Sequence, residues 1–423
     1  MGNKMGKKIQ RIFLIIFAAL LCCFSAGCSH KNTVAEDKES NKDTSISGKP
    51  EDTEELSEAE IYERGYNLPI DSAEQEEAEK DCAEMMEAIR DIYEEADKGT
   101  SINAVISQET AIKMQQVIAE KDVPAAVSGF DVDMMNYDAM EDFLDEASSG
   151  NQAEIILYRI HTDGTVSREK FTFDGKDMYS LYTKGRWTDD MEPAFSVNSR
   201  SRMSQWKYTE KGWFIFEYCT AQPPELTEVV DAYEMIRVKP KTRKYREMEE
   251  KYLDSIGYQG NNLLCSEWSE DQIEGLDFNG LYEYFYMEEY GREIDTEKCA
   301  GGIPQEEFES LMTKYLPVTA EQLREYASYD PESETYDWVM LGVGNYAPNA
   351  FWISVPEVTG IRENEDGSVT LTVDVVCEKK GNDDFYTHEV TLRILDDGKA
   401  MYLSNHILDD RPGMIPDYQY RCG

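Results

Sequence analysis

The sequence has few of the residues and motifs that most catalytic and metal sites require. Only four histidines occur in 423 residues, and no His-x-x-x-His or Cys-x-x-Cys pair provides the spacing of a zinc site. The Gly-x-Ser-x-Gly, Walker and dinucleotide-binding motifs are missing as well. We therefore predict no metal, no cofactor and no catalytic residue. His388 and His406 are expected on neighbouring strands, where they could meet across a sheet. They are the first histidines to consider as a ligand or a base.

Positive charge is also scarce. The chain contains 42 Lys and Arg residues against 85 Asp and Glu residues, which gives a formal net charge of −43. This charge excludes nucleic acid as a bulk electrostatic partner, because its phosphates would be repelled along most of the surface. The acids favour solubility, and scattered Asp and Glu residues do not by themselves make a divalent-cation site.

Long apolar runs are limited to the N-terminus. The run from Ile12 to Phe24 is too short for a membrane-spanning helix but suits a secretory signal peptide. It follows a positive segment without acids and precedes the small residues Ser25-Ala26-Gly27. No second long apolar run follows, so we predict no further membrane span.

Cys28 comes directly after these small residues, and the segment resembles the lipobox of bacterial lipoproteins. The resemblance implies that residues 1–27 are cleaved and that Cys28 is diacylglycerated to become the mature N-terminus. It departs from the family pattern at Ser25, where leucine is usual, and ordinary secretion is the alternative. Because two acyl chains attach a protein stably, we expect the protein on the cell membrane, facing outside the cytoplasm.

Residues 28–70 are predicted to carry the lipid and to form an acidic, disordered tether. From Ser29 to about Glu60 the chain has hardly any large apolar residue. Such a segment cannot bury enough surface to offset the entropy lost on ordering. The tether should hold the folded part close to the membrane.

The rest of the chain is expected to fold as two α+β domains, residues 71–240 and 241–423. Each begins with helical patterns, such as those at 78–97 and 268–290, and continues into strand-like runs that predict a curled antiparallel sheet. This order resembles cystatin-like or nuclear-transport-factor-like cones. The hairpin signals are Asp163-Gly164, Asp174-Gly175, Lys211-Gly212, Asp366-Gly367 and Asp397-Gly398.

The stretch from "VPEVTGIRENEDGSVTLTVDVVC" to "THEVTLRILDDGKAMYLSNHI" is similar to a family of uncharacterised lipoproteins from Gram-positive anaerobes. The similarity covers the end of the chain and the lipobox. It implies a domain of unknown function and supplies no catalytic residue.

The segment "RVKPKTRKYR" is unusual in so acidic a chain, because it contains six cations and no acid. It could pair with the protein's own acidic surface, or it could bind an anionic envelope polymer or lipid headgroups. The candidate anion-binding residues are Arg237, Lys239, Lys241, Arg243, Lys244 and Arg246.

Six cysteines follow Cys28 and permit disulfides in an exported protein. Cys82 and Cys377 fall on predicted apolar faces and could instead be buried thiols. Cys265 and Cys299 flank one helical region and are the first candidate disulfide pair.

Together these features favour a lipid-anchored, extracytoplasmic binding or interaction protein of the cell envelope, with an envelope polymer or protein as a partner besides the membrane. The alternative is a cell-envelope hydrolase that uses acidic residues. A cleft lined by several converging carboxylates would favour the hydrolase, whereas a shallow or closed cone would favour binding.

Overall fold

The structure, a computed structural model, describes residues 57–99, 104–227, 229–297, 299–341, 354–408 and 415–422. The predicted signal peptide, Cys28 and most of the predicted tether lie outside these residues. Within them, no helix is both long enough and apolar enough to cross a membrane.

The described residues form eight α-helices and fifteen strands. The helices are α1 Glu58–Arg64, α2 Ser72–Glu95, α3 Gln108–Ala119, α4 Tyr137–Ser148, α5 Arg243–Tyr252, α6 Phe278–Tyr290, α7 Gln305–Tyr315 and α8 Ala320–Tyr326. The strands are β1 Ala125–Val127, β2 Ala153–Ile160, β3 Val166–Phe173, β4 Met178–Trp187, β5 Pro193–Tyr208, β6 Trp213–Tyr218, β7 Tyr233–Arg237, β8 Trp268–Ser269, β9 Ile303–Pro304, β10 Tyr329–Asp330, β11 Thr335–Tyr336, β12 Ser354–Glu363, β13 Val369–Cys377, β14 Thr387–Ile394 and β15 Ala400–Ile407.

Strands β1 to β7 form one strongly curled half-barrel sheet in the N-terminal half, the described residues up to 238. They lie in chain order, with β1 parallel to β2 and the other neighbours antiparallel. This order arises because short hairpins join most consecutive strands. The second residue of each predicted hairpin signal is a glycine with a positive φ, which glycine adopts without strain.

Both faces of this sheet are covered, because successive side chains of a strand point to opposite faces. In β3, Val166 belongs to the core beneath α2 and α3, whereas Phe171 and Phe173 pack with α4. Gly185 in β4 lets α2 approach closely, since a Cβ atom there would collide with the sulfur of Met86.

The C-terminal half, the described residues from 243 onward, contains an antiparallel sheet in the order β12-β13-β14-β15-β8. Helices α6 and α7 contribute stacked aromatic rings to its core. The ring centroids of Phe285 and Tyr315 are 4.8 Å apart, and those of Phe308 and Tyr336 are 4.0 Å apart. This core is separate from those of the first sheet.

The predicted α+β class and the curled antiparallel sheet are confirmed, whereas the division into two domains stays a prediction. The helical pattern at 268–290 is helical only from Phe278. Trp268 and Ser269 pair instead with β15 as the strand β8. Their helical assignment is therefore wrong.

Part of the segment predicted as tether, residues 57–70, is described by the structure. Ser57 and Glu60 form a capping box at the start of α1. Leu68 is buried, and its backbone N–H donates to the carbonyl oxygen of Arg200 in β5 at 2.9 Å. Residues 57–70 thus pack on the N-terminal half.

Candidate functional site

The two halves meet on one face of β6 and β7. Trp213, Ile215 and Met235 alternate onto this face and pack against Val355 of β12 and Val376 of β13. We call this contact surface the seam. A small apolar cluster forms its centre, and charged side chains surround it.

The six basic residues at 237–246 lie where the chain passes from the end of β7 into α5. Five of them make ion pairs with carboxylates of the same chain. Arg237 pairs with Glu357, Lys239 with Glu141, Lys241 with Asp131 and Glu249, Arg243 with Glu247, and Arg246 with Asp131 and Asp133. Lys244 is exposed. The sequence left open whether these cations pair with the protein's own acids or with an external anion. In the structure, five of them pair with acids of the same chain.

The pair between Arg237 and Glu357 is the most enclosed part of this network. The Arg237 Nη1 atom donates to Glu357 Oε1 at 2.8 Å and to Oε2 at 3.0 Å. Trp213 Nε1 donates to the same carboxylate. Glu357 is 5% exposed, so its charge is shielded from water and held by these donors.

Glu249 of α5 is connected to the N-terminal half through Lys241, which also pairs with Asp131. Its carboxylate accepts from Lys241 Nζ at 2.6 Å and from the Val358 backbone N–H of β12, also at 2.6 Å. Burial opposes the charge on Lys241, but Asp131 and Glu249 outweigh it and raise the Lys241 pKa. These acids have structural partners, so they do not form the open carboxylate pair of a hydrolase.

A cleft of about 300 Å³ lies beside the seam, between β5–β7 and the 3₁₀ turn Glu378–Lys380. Its walls include the aromatic residues Trp206, Phe216 and Tyr233. Its other lining residues are Gln205, Lys207, Ile215, Glu378, Lys380 and Gly381. Five of these nine lining residues have a polar or charged side chain, so the cleft can contact both polar and apolar atoms of a ligand.

Glu378 is the unusual group of this cleft. It is 3% exposed, and no described residue donates a hydrogen bond to its carboxyl group. Burial raises the pKa of this carboxyl to about 9, and the charges of Asp231 and Glu234 add to the effect. Glu378 is therefore protonated at neutral pH.

The turn that carries Glu378 is held by its own backbone. The Cys377 N–H donates to the Asn382 carbonyl at 2.8 Å, and the Gly381 N–H donates to the Glu378 carbonyl at 2.9 Å. Gly381 has a φ of 58°, a conformation that favours glycine. The side chain of Glu378 is thus placed by a defined turn.

His388 and His406 do not meet, so that sequence interpretation is wrong. His406 pairs in register with Glu389, the neighbour of His388, and the two histidines therefore point to opposite faces of the sheet. His388 is fully buried between Asn405 at 2.6 Å and Tyr258 at 2.9 Å. Burial lowers its pKa to about 4, so the ring is neutral.

The candidate disulfide is not formed. Cys265 and Cys299 both lie in the described part of the chain, and no bond joins their sulfur atoms. Burial raises the pKa of the Cys265 thiol to about 12. Cys82 and Cys377 are fully buried thiols, as their apolar faces suggested.

A second cleft, of about 240 Å³, lies at the N-terminus of α6. The chain's own C-terminal residues occupy its surroundings, since Tyr418 donates to Asp277 at 2.7 Å. Asn279 Nδ2 is engaged by the carbonyl oxygens of Ser328 and Asp337. Its polar groups are therefore used within the fold, which makes the cleft beside the seam the better candidate site.

The chain belongs to a family described as "Family of unknown function (DUF6070)", whose model matches residues 75–421. The match spans both sheets, the seam and the cleft. No curated protein and no solved structure matches the chain. The expected membership of a family of unknown function is confirmed, and the lipoprotein character stays a prediction.

Proposed function

We propose that this protein is a lipid-anchored binding protein that works outside the cytoplasm and takes a small ligand from the cell envelope into the cleft beside the seam. The cleft carries this proposal, because it contains a buried carboxyl group to which none of the described residues donates a hydrogen bond. The lipobox-like segment at Cys28 supports the location.

The composition of the cleft favours binding over hydrolysis. Acid-base hydrolysis of a glycoside uses two carboxyl groups on either side of the bond that breaks. Of the described residues that line the cleft, Glu378 alone has a carboxyl group. A pKa of about 9 also keeps it far from the value that suits a general acid or base at neutral pH.

The anchor predicts that a Cys28→Ala variant remains without lipid and is lost from the membrane fraction. Cys28 directly follows Ser25-Ala26-Gly27 and would supply the sulfur that receives the diacylglyceryl group, whereas alanine has no sulfur to accept it. Metabolic labelling with a fatty-acid probe, followed by membrane fractionation, measures both effects. Cys22→Ala is the matched control and should keep the label. Label retained by Cys28→Ala would contradict the anchor.

Binding in the cleft predicts that a Gln205→Trp variant loses a ligand that the unaltered protein retains. Gln205 lines the cleft and is exposed, so the larger ring can fill the space without disturbing a core. The folded protein is mixed with the low-molecular-mass fraction of an enzymatically digested Gram-positive cell wall, and native mass spectrometry measures the bound mass.

Gln116→Trp is the control for this experiment, because Gln116 is an exposed glutamine on α3, away from the cleft. It should bind as the unaltered protein does. A fraction that leaves no bound mass on any of the three proteins, or equal binding by Gln205→Trp, would contradict the proposed site.

A further inference from the structure

We infer that the cleft binds a zwitterionic amine–carboxylate about as large as a dipeptide, with its ammonium group at Glu378 and its carboxylate at Lys207 and Lys380. The inference rests on the proposed function and adds the chemical class of the ligand. Three features of the cleft support it: the buried carboxyl group, the sign of the charges around that group, and the two lysines among the lining residues.

The buried carboxyl group calls for a partner with hydrogen-bond donors. A carboxyl group removed from water is costly unless it is hydrogen-bonded. Glu378 is 3% exposed and has no donor among the described residues, yet it borders the empty space of the cleft. An ammonium group has three donors and no acceptor, and therefore matches this position.

The surrounding charges favour a cation at the inner end of the cleft. The carboxylates of Asp231 and Glu234 are close enough to act on Glu378, and Lys379 opposes them only in part. The Glu234 carboxylate also accepts from Arg159 at 2.9 Å. A ligand that had only negative charge would meet a negative potential here.

Positive side chains also line the cleft. Lys207 on β5 and Lys380 on the 3₁₀ turn both border it and are exposed. They come from the two halves of the chain. Such a pair suits a carboxylate, which can accept from two donors.

The size of the cleft limits the ligand. Its volume of about 300 Å³ is at the small end of the range for ligand pockets. The side chains of Ile215 and Tyr233 lie on the face of β6 and β7 that borders the cleft and provide contact surface for one apolar side chain. A dipeptide with one apolar residue satisfies these conditions.

Binding also moves one proton. Glu378 is protonated at pH 7, whereas the amine of a peptide is mainly an ammonium group. When the ammonium enters, the Glu378 O–H bond breaks, its proton passes to the buffer, and the carboxylate accepts from the ammonium. Lys207, Lys380 and Tyr233 also face the cleft, and burial raises the pKa of the Tyr233 phenol.

Three probes that differ only at their ends test the inference on the full folded chain: leucylglycine, N-acetyl-leucylglycine and leucylglycine amide. Calorimetry at pH 7 in two buffers of different ionisation enthalpy measures affinity and proton release. We expect leucylglycine to bind with release of one proton. Each blocked probe should bind at least about tenfold more weakly, because each lacks one charged hydrogen-bonding group.

Two variants complete the test. Glu378→Gln should weaken leucylglycine binding about tenfold and abolish proton release. The control Glu332→Gln changes an exposed glutamate outside the cleft and should change neither. Equal binding of the acetylated probe would indicate an anion ligand, and equal binding of the amide a cation ligand. Either result overturns the inference.

The outcomes also separate this inference from the proposed function. If the cell-wall fraction supplies a ligand that Gln205→Trp excludes, while leucylglycine does not bind, the zwitterion assignment is wrong and the binding function stands. If neither the fraction nor any probe binds, both are wrong.

Discussion

An Arg237→Ala variant should lose about 3–5 kcal/mol of its free energy of unfolding, the usual effect of removing one partner of a buried ion pair. The Arg237 side chain is 13% exposed and that of Glu357 is 7% exposed. Without the guanidinium group, the Glu357 carboxylate keeps only the Trp213 N–H among these donors. Urea unfolding at pH 7 measures the change.

Arg243→Ala is the matched control, because it removes the same side chain from the same basic segment. Its side chain is 91% exposed and pairs with Glu247 one helical turn away. Such exposed pairs contribute about 0.3–0.5 kcal/mol. A similar loss for both variants would show that the seam adds no particular stability at Arg237.

A double variant tests whether the stability can be recovered once the buried charge is removed and the side-chain volume is kept. Arg237→Met with Glu357→Gln leaves no buried charge and keeps apolar volume, so it should recover much of the stability lost by Arg237→Ala. Stability equal to that of Arg237→Ala would mean that the loss comes from the hydrogen bonds of the guanidinium itself, and neither from lost volume nor from an unpaired Glu357 charge. The same measurement in urea decides between these outcomes.

The basic segment shows what the sequence predicts well and what it does not. Its charge is evident from ten consecutive residues. The sequence alone therefore raised the choice between an internal and an external partner for these cations. The partners themselves are distant in the chain: Glu357 lies far beyond Arg237, and Asp131 far before Arg246. Only the packing of one half against the other brings them together.

Local signals predicted most of the fold. The hairpins depend on a few adjacent residues, such as Asp366-Gly367, and their glycines have the required positive φ. Trp268 was misassigned because its environment is set by pairing with Asn405 in β15, which outweighs the helical spacing of its neighbours. Tertiary contacts decided that position.

The candidate site was not predicted, because nothing local marks it. Glu378 follows the apolar strand β13 in the sequence "VVCEKKG", which indicates an exposed charged turn. The turn and the facing strands β6 and β7 together place Glu378 in a buried position beside Tyr233. A residue with ordinary surface character thus becomes a buried acid only when the halves assemble.

The burial of Glu378 has a consequence for the dependence of stability on pH. Its pKa is raised from the ordinary 4.5 to about 9, so between these values the folded chain keeps a proton that the unfolded chain has lost. The stability contributed by this proton is present below pH 4.5 and is lost as the pH rises towards 9. This effect is a cost of keeping the acid in the cleft.

Glu378→Gln should therefore make the protein more stable at alkaline pH, by about 2–4 kcal/mol at pH 8. The amide has nearly the same volume and cannot ionise. The gain over the unaltered protein should be small at pH 5 and should grow by up to about 1.4 kcal/mol for each pH unit above it. Urea unfolding at pH 5, 6.5 and 8 measures this slope.

The exposed Glu332→Gln control should show no such slope. A Glu378→Gln variant that is less stable at pH 8 would mean that Glu378 is ionised and has a partner in the folded chain, which would also remove the basis for assigning an ammonium group to this position.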